Sequence, residues 1–258
     1  MKKTNISIVG SGNVATHLAL ALNAAGHTIV QVFSREYDHA SLLASRVGAV
    51  AIDKPILLSP EAEVYLLAVG DDALYDLALD LHLPADALIV HTSGSTPLTV
   101  LKPLGNNYGV LWSPQTFVRD IAMDYSRLPL CIEASNTDAL ARLEALASSI
   151  SQHVYHLDYE QRCWAHLAAV MVSNFVNAIN ATAQQTMRQH GLDFDMLRPL
   201  AEATLRKWDY GDLRQMQTGP AARHDSKTLD AQRRLLADNP QLLKLYDLMT
   251  EIIQSRDR

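Results

Sequence analysis

Apolar and polar positions along this chain follow two rhythms. Short β-rich apolar runs at 6–9, 28–33, 49–52, 64–69 and 88–91 are separated by stretches with helical spacing at 14–25, 40–47 and 73–81. That alternation predicts βαβ units and a parallel sheet. Three more runs, at 109–112, 129–133 and 153–157, extend the sheet, with a helical stretch at 137–150 between the last two. After Tyr159 the strand signal disappears. One long helix is predicted over 160–190, closed by Gly191, followed by helices at 194–208, 226–237 and 240–254. Asp225 or Ser226 is the N-cap of the third of these, and Asn239-Pro240 marks the start of the last. The chain therefore reads as an α/β domain over 1–157 joined almost directly to an all-α domain over 158–258.

Two uncharged stretches bear on compartment. Residues 4–34 contain no Asp, Glu, Lys or Arg and follow Lys2 and Lys3, but Gly10, Gly12, Asn13, Asn23 and Gly26 break any apolar core of a signal peptide. Residues 163–187 are also uncharged, yet Ser173, Asn174, Asn177, Asn180, Thr182, Gln184 and Gln185 make them too polar for a membrane span. Both are expected to lie inside folded protein. The two cysteines, Cys131 and Cys163, show neither CxxC nor Cys/His spacing, so no disulfide framework and no metal site is expected. A reduced, cytoplasmic setting fits, without a membrane partner.

Charge excludes another class. Over all 258 residues the net charge is −6, with 9 basic against 15 acidic residues up to 157 and 13 of each beyond it. No broad positive field is present to hold a nucleic-acid backbone. An anion bound by the first domain must be held by local devices.

Such a device opens the chain. Gly10-Ser11-Gly12-Asn13-Val14-Ala15 places GxGxxA directly after a strand and at the mouth of a helix. The first glycine permits a tight turn, the second lets the backbone approach a pyrophosphate, and the small Ala15 permits close helix packing. The N–H groups of the helix start complete an anion site. This points to a Rossmann-type dinucleotide fold. An acid at the tip of the second strand would serve NAD, but that strand ends Phe33-Ser34-Arg35. Ser34 and Arg35 suit a 2′-phosphate, so NADP is favoured over NAD, for which Glu36 is the alternative. Val69-Gly70-Asp71-Asp72 and Thr92-Ser93-Gly94-Ser95 follow the fourth and fifth strands, where the nicotinamide side of the crevice is expected. Val69, Thr92 and Ser93 are candidate contacts there, although Ser93 suits a turn equally well and Asp72 suits an N-cap.

The long predicted helix carries a polar row. His166, Ser173, Asn177 and Asn180 fall close to one face, with Asn174 nearly aligned. Such a row either lines a substrate crevice or is satisfied by another helix or a dimer mate. Reduction of a C=O or C=N group by hydride needs an acid, and His166 is the first candidate, with Asn174 or Ser173 holding a polar group of the substrate. Arg223, in the loop 218–225, is a candidate clamp for a substrate carboxylate, with Asp225 beside it. Gln115, at the end of the sixth strand, is a further substrate candidate. His153 and His156 are three apart in a strand, on opposite faces, and make no metal pair.

Taken together, these motifs, with 113–117, 166–170 and 219–225, resemble a family of Rossmann-like oxidoreductases with a C-terminal domain of unknown function. That domain resembles the helical domains of pyrroline-5-carboxylate reductase and the 6-phosphogluconate dehydrogenase superfamily. The resemblance implies an NADP-binding first domain, a small-molecule substrate held between domains, and a homodimer formed through the helical domain. One departure counts against ordinary hydroxyacid dehydrogenation. If Asn174 is the asparagine of those enzymes' helix, the position of their catalytic lysine is Val170, and His166 lies one turn earlier. The expected activity is NADP-dependent reduction of a small carbonyl or imine substrate bearing a carboxylate. The missing lysine motivates one alternative, an NADP-binding regulatory or scaffold protein without hydride transfer.

Overall fold

The computed structural model describes residues 3–119 and 121–255. Its elements are β1 (Asn5–Val9), α1 (Asn13–Ala24), β2 (Thr28–Phe33), α2 (Tyr37–Val47), β3 (Val50–Ile52), β4 (Val64–Leu67), α3 (Asp71–Asp80), β5 (Leu88–His91), β6 (Tyr108–Trp112), β7 (Pro129–Ala134), α4 (Thr137–Ser148) and β8 (His153–His156). Helices α5 (Tyr159–Val170), α6 (Val176–Gln189), α7 (Arg198–Arg206), α8 (Ser226–Leu235) and α9 (Pro240–Gln254) follow. The strands form one eight-stranded sheet in the order β3-β2-β1-β4-β5-β6-β7-β8. Neighbours run parallel except at β6–β7. This is the mostly parallel Rossmann-type sheet followed by an all-helical C-terminal region that the two rhythms predict.

Every residue of β4 and of β5 is buried, because helices and connecting segments cover both faces of the sheet. Strands of this kind read as continuous apolar runs, as 64–67 and 88–90 do. The strand order reverses direction on either side of β1 and β4. That is where a parallel α/β sheet opens a crevice at the carboxyl ends of its strands.

The long predicted helix is continuous but not uniform, since five residues between α5 and α6, Met171–Phe175, are wound as a π-helix. The chain divides into two compact units, Met1–Ile179 and Asn180–Arg258, and the division falls inside α6. Within the second unit, Arg233 Nε donates to Asp247 at 2.8 Å and Tyr246 donates to Gln232 at 2.6 Å, which ties α8 to α9. Asn239 caps α9, with Pro240 in its first turn. Asp225 caps α8 through the Thr228 N–H, and Gly191 ends the long helix with φ +70°. At α3 the sequence leaves Asp72 as a possible cap, and the structure differs. The helix begins at Asp71 with Gly70 as N-cap, and both aspartates lie in the first turn, facing the positive end of the helix dipole. Cys131 and Cys163 are free. Among the described residues no helix is long and apolar enough to cross a membrane, and no cluster of His, Cys, Asp and Glu is placed to hold a metal ion.

Candidate active site

The turn between β1 and α1 shows why each glycine is present. Gly10 has φ +117°, and a Cβ there would stand 2.2 Å from the Ala68 carbonyl oxygen. At Gly12, the N-cap of α1, a Cβ would meet nothing within 4 Å. The first glycine is thus demanded by the protein itself, whereas the second keeps open space in front of the helix. No side chain caps α1 and no acid lies in its first turn, so its leading N–H groups are available to an anion.

In front of this turn lies a cleft of about 680 Å³. Gly10, Ser11, Gly12, Asn13, Val14, Ser34, Arg35, Val69 and Thr92 all line it. Ser11 donates to the Ser34 hydroxyl at 3.0 Å, which joins the glycine turn to the tip of β2. Glu36 instead occupies the N-cap position of α2 without a side-chain capping bond, and its carboxylate lies 3.7 Å from His39. Asp53, Pro55, Asp76, Leu77 and Asp80 also line the cleft, and no motif in the sequence singles them out. The available signal was the spacing of Ala73, Asp76, Leu77 and Asp80 on one face of α3, but nothing in the sequence says that this face turns toward the glycine turn.

Ser93 is not among the lining residues. Its hydroxyl donates to Thr96 Oγ1 at 2.9 Å and accepts the N–H groups of Ser95 and Thr96, so it builds the turn after β5. His91, fully buried at the end of β5, accepts the Ser93 N–H on Nδ1. Burial, reinforced by the nearby Arg162 cation, pushes its pKa down to about 3, so the ring is neutral at physiological pH.

The same turn links two clefts. Thr92 lines the first, while Gly94 lies beneath a second of about 240 Å³. The second is lined by Trp112, Ser113, Pro114, Gln115 and Thr116 after β6 and by His166, Ala169, Val170, Val172, Ser173 and Asn174 on the long helix. A Cβ on Gly94 would fall 2.8 Å from Trp112 Nε1 and 3.0 Å from His166 Cδ2, so only glycine permits this approach. The His166 ring stands edge-on to Trp112, with centroids 5.7 Å apart and planes at 85°. His166 is half-buried, and neither ring nitrogen has a hydrogen-bond partner among the described residues. Thr116 Oγ1 and Ser173 Oγ lie 3.0 Å apart and bridge the two walls.

The structure therefore brings His166, Ser173, Asn174 and Gln115 together around one small cleft. Ser173 and Asn174 sit within the π-helical turn, whose extra residue changes the phase of everything after it. Asn177, though part of the polar row in the sequence, is exposed and lines neither cleft. Asn180, Arg223 and Asp225 belong to the second compact unit. There Asp225 is committed to capping α8, and its hydrogen bonds to Thr228 hold its carboxyl below the usual range. Arg223 is exposed in the preceding loop.

One residue not foreseen from sequence anchors α5 beside the second cleft. Arg162, one helical turn before His166, is 1% exposed. Its Nη1 donates to Glu133 of β7 at 2.6 Å, its Nη2 donates to the Thr96 carbonyl at 2.7 Å, and its guanidinium lies 5.5 Å from the Tyr159 ring centroid. Burial raises the pKa of Glu133, and the Arg162 cation works against that rise. A buried arginine with these partners fixes α5 to the sheet and to the turn after β5.

Residues 1–112 match the model of a Rossmann-like domain, and residues 128–253 match that of a domain of unknown function, DUF2520. No curated protein matches the sequence. The chain is 38% identical to a "putative NADP oxidoreductase" from Bacteroides fragilis, over 98% of both chains, with a TM-score of 0.92. A reductive aminase from Aspergillus terreus, solved with NADPH and ethyl levulinate, is 18% identical with a TM-score of 0.73, over 98% of this chain and 95% of that one. A pyrroline-5-carboxylate reductase from Coxiella burnetii is 19% identical with a TM-score of 0.58, over 99% and 97%. At those identities the last two show a shared fold.

Proposed function

Since the chain belongs to the family of Rossmann-like NADP oxidoreductases with a helical C-terminal domain, we propose that it reduces a small carbonyl or imine substrate bearing a carboxylate. The observation that carries this reading is the turn after β5, which offers Thr92 to the dinucleotide cleft and places Gly94 under His166 and Trp112. NADPH, when bound in this cleft, would supply a hydride to the substrate carbon. The glycine turn and the start of α1 hold its pyrophosphate, and Ser34 and Arg35 hold its 2′-phosphate.

The chain's own chemistry then concerns the proton. As negative charge develops on the substrate oxygen or nitrogen, an acid must deliver H⁺ to that atom. His166 has both ring nitrogens free and faces a cleft otherwise lined by hydroxyl, amide and apolar groups. It is the proton donor in this reading. Asn174, Ser173 and Gln115 orient the substrate. The rival reading, NADP binding without turnover, predicts no NADPH consumption with any oxo or imino acid.

His166→Ala is expected to lower kcat for NADPH-dependent reduction about a hundredfold while leaving the NADPH Kd unchanged. Stopped-flow turnover over a panel of oxo and imino acids, with parallel NADPH titrations, tests this. Undiminished kcat in the variant removes His166 from the role.

The domain arrangement in this proposal has 1–157 as the cofactor module and 158–258 as the substrate and dimerisation module, in a cytoplasmic protein. The homodimer is supported by large apolar side chains left open on the helices. Trp164, Met171 and Phe175 in the first unit are 65%, 55% and 53% exposed, and Met196, Leu200 and Trp208 in the second are 66%, 64% and 57%. Isolated apolar residues on a surface are ordinary, but a series of them within one unit marks an apolar face on that unit. Sedimentation equilibrium is expected to give about twice the chain mass of 28.5 kDa. A mass of one chain at micromolar concentration refutes the dimer.

A further inference from the structure

The dinucleotide cleft is short of positive charge. Asp53, Asp76 and Asp80 line it, and among the described residues Arg35 is its one lining cation. The first 157 residues carry the whole net charge of −6. The partial positive charge at a helix start, about half an elementary charge, does not balance a pyrophosphate.

A second cation stands at the glycine turn, from a segment far away in sequence. The stretch after β6 is stapled onto the turn and α1. Asn13 Nδ2 donates to the Phe117 carbonyl at 3.0 Å, and His17 Nε2 lies 2.8 Å from the Val118 carbonyl oxygen. His17 Nδ1 lies 3.0 Å from the Tyr125 hydroxyl. Beside these bonds, Arg119 Nη2 donates to the carbonyl of Ser11, the residue between the two glycines, at 3.0 Å. Arg119 is half-buried, its Nε is shut off from solvent without a partner, and no carboxylate pairs with it among the described residues. A half-buried guanidinium bonded to the Ser11 carbonyl, with no counter-ion among the described residues, leaves its charge uncompensated beside the glycine turn.

We propose that Arg119 is the pyrophosphate cation of this dinucleotide site, a partner to Arg35 at the 2′-phosphate. The proposal rests on the NADP reading but assigns the two charges to different phosphates, and two fragments separate them. ADP-ribose contains the pyrophosphate without the 2′-phosphate, and 2′-AMP contains the 2′-phosphate without the pyrophosphate.

Isothermal titration of the full chain with each fragment and with NADPH is the test. Arg119→Gln is expected to weaken ADP-ribose and NADPH on the order of tenfold and to leave 2′-AMP unchanged, with most of the loss restored in Arg119→Lys. Arg35→Gln is expected to show the reverse, weakening NADPH and 2′-AMP but not ADP-ribose. Tyr125→Phe, which cuts a staple of the same segment without changing charge, is expected to leave all three affinities in place. Unchanged ADP-ribose affinity in Arg119→Gln overturns the proposal, as does an equal loss of 2′-AMP or an equal effect of Tyr125→Phe. Should Arg119→Gln fail to fold, Arg119→Lys decides: an ADP-ribose affinity as weak as tenfold below wild type refutes a role for charge. A failure of 2′-AMP to respond to Arg35→Gln would instead remove the 2′-phosphate assignment and leave Arg119 untouched.

Discussion

Gly10→Ala is expected to abolish dinucleotide binding and to destabilise the fold by about 3 kcal/mol or more. Two costs combine at this position. An L-residue at φ +117° is strained, and its Cβ would lie 2.2 Å from a backbone oxygen of the strand next door. Ala68 cannot withdraw easily, because its N–H is bonded to the Val9 carbonyl at 2.8 Å. The Gly10 N–H, bonded to Phe33 at 2.8 Å, also sits between the two strands that flank the cleft. Relief of the clash therefore moves the turn itself. Gly12→Ala is the informative companion, since its Cβ meets no protein atom within 4 Å. That variant is expected to unfold at the wild-type urea concentration while losing NADPH affinity by at least tenfold, because the new methyl occupies the space that the pyrophosphate needs. Urea unfolding and NADPH titration of both variants check the pair. A Gly10→Ala protein with wild-type stability and affinity would contradict the geometry.

Removal of Arg162 is expected to cost about 3–5 kcal/mol. Arg162→Met keeps much of the side-chain volume but leaves Glu133, whose side chain is 18% exposed, without its cation. It also strips the Thr96 carbonyl of its donor, so the turn after β5 and helix α5 lose their common anchor. Because burial already raises the Glu133 pKa against the pull of Arg162, loss of the cation raises it further. A carboxyl whose folded pKa lies above its unfolded value contributes stability at low pH and loses it as pH rises through the folded pKa. The Arg162→Met penalty is therefore expected to be larger at pH 8 than at pH 5. Addition of Glu133→Gln is expected to recover part of the loss and to flatten its pH dependence. Urea midpoints at the two pH values, for both single variants and the double variant, measure this. Additive single effects would show that the two side chains do not act as a pair.

Much of this molecule was legible in its order of residues. Parallel strands covered on both faces appear as unbroken apolar runs, and GxGxxA between a strand and a helix has a local backbone reason that needs no knowledge of the rest of the fold. Caps are similarly local: Asp225 and Asn239 act on N–H groups three residues away. The tip of β2, with Ser34 and Arg35 and no acid, follows from the position of one strand end.

What only the tertiary structure decided depends on contacts across long separations. Arg119 meets Ser11 across 108 positions and Arg162 meets Thr96 across 66, and neither pairing leaves any periodicity to read. Ser93 shows the limit in the other direction, because a small polar residue after a strand suits a cofactor contact and a turn alike, and only the packed neighbours show its hydroxyl bound to Thr96. The π-turn at Met171–Phe175 is the last case. A 3.6-residue period fitted to the sequence keeps Asn177 in line with His166, whereas one extra residue in the winding keeps Ser173 and Asn174 at the cleft and leaves Asn177 outside it. The sequence by itself determined which elements form and where a glycine turn leaves the N–H groups of a helix start open. The side chains that converge on each cleft were decided by how those elements pack, because burial and long-range hydrogen bonds, not local propensity, select among the equivalent faces that a periodic pattern allows.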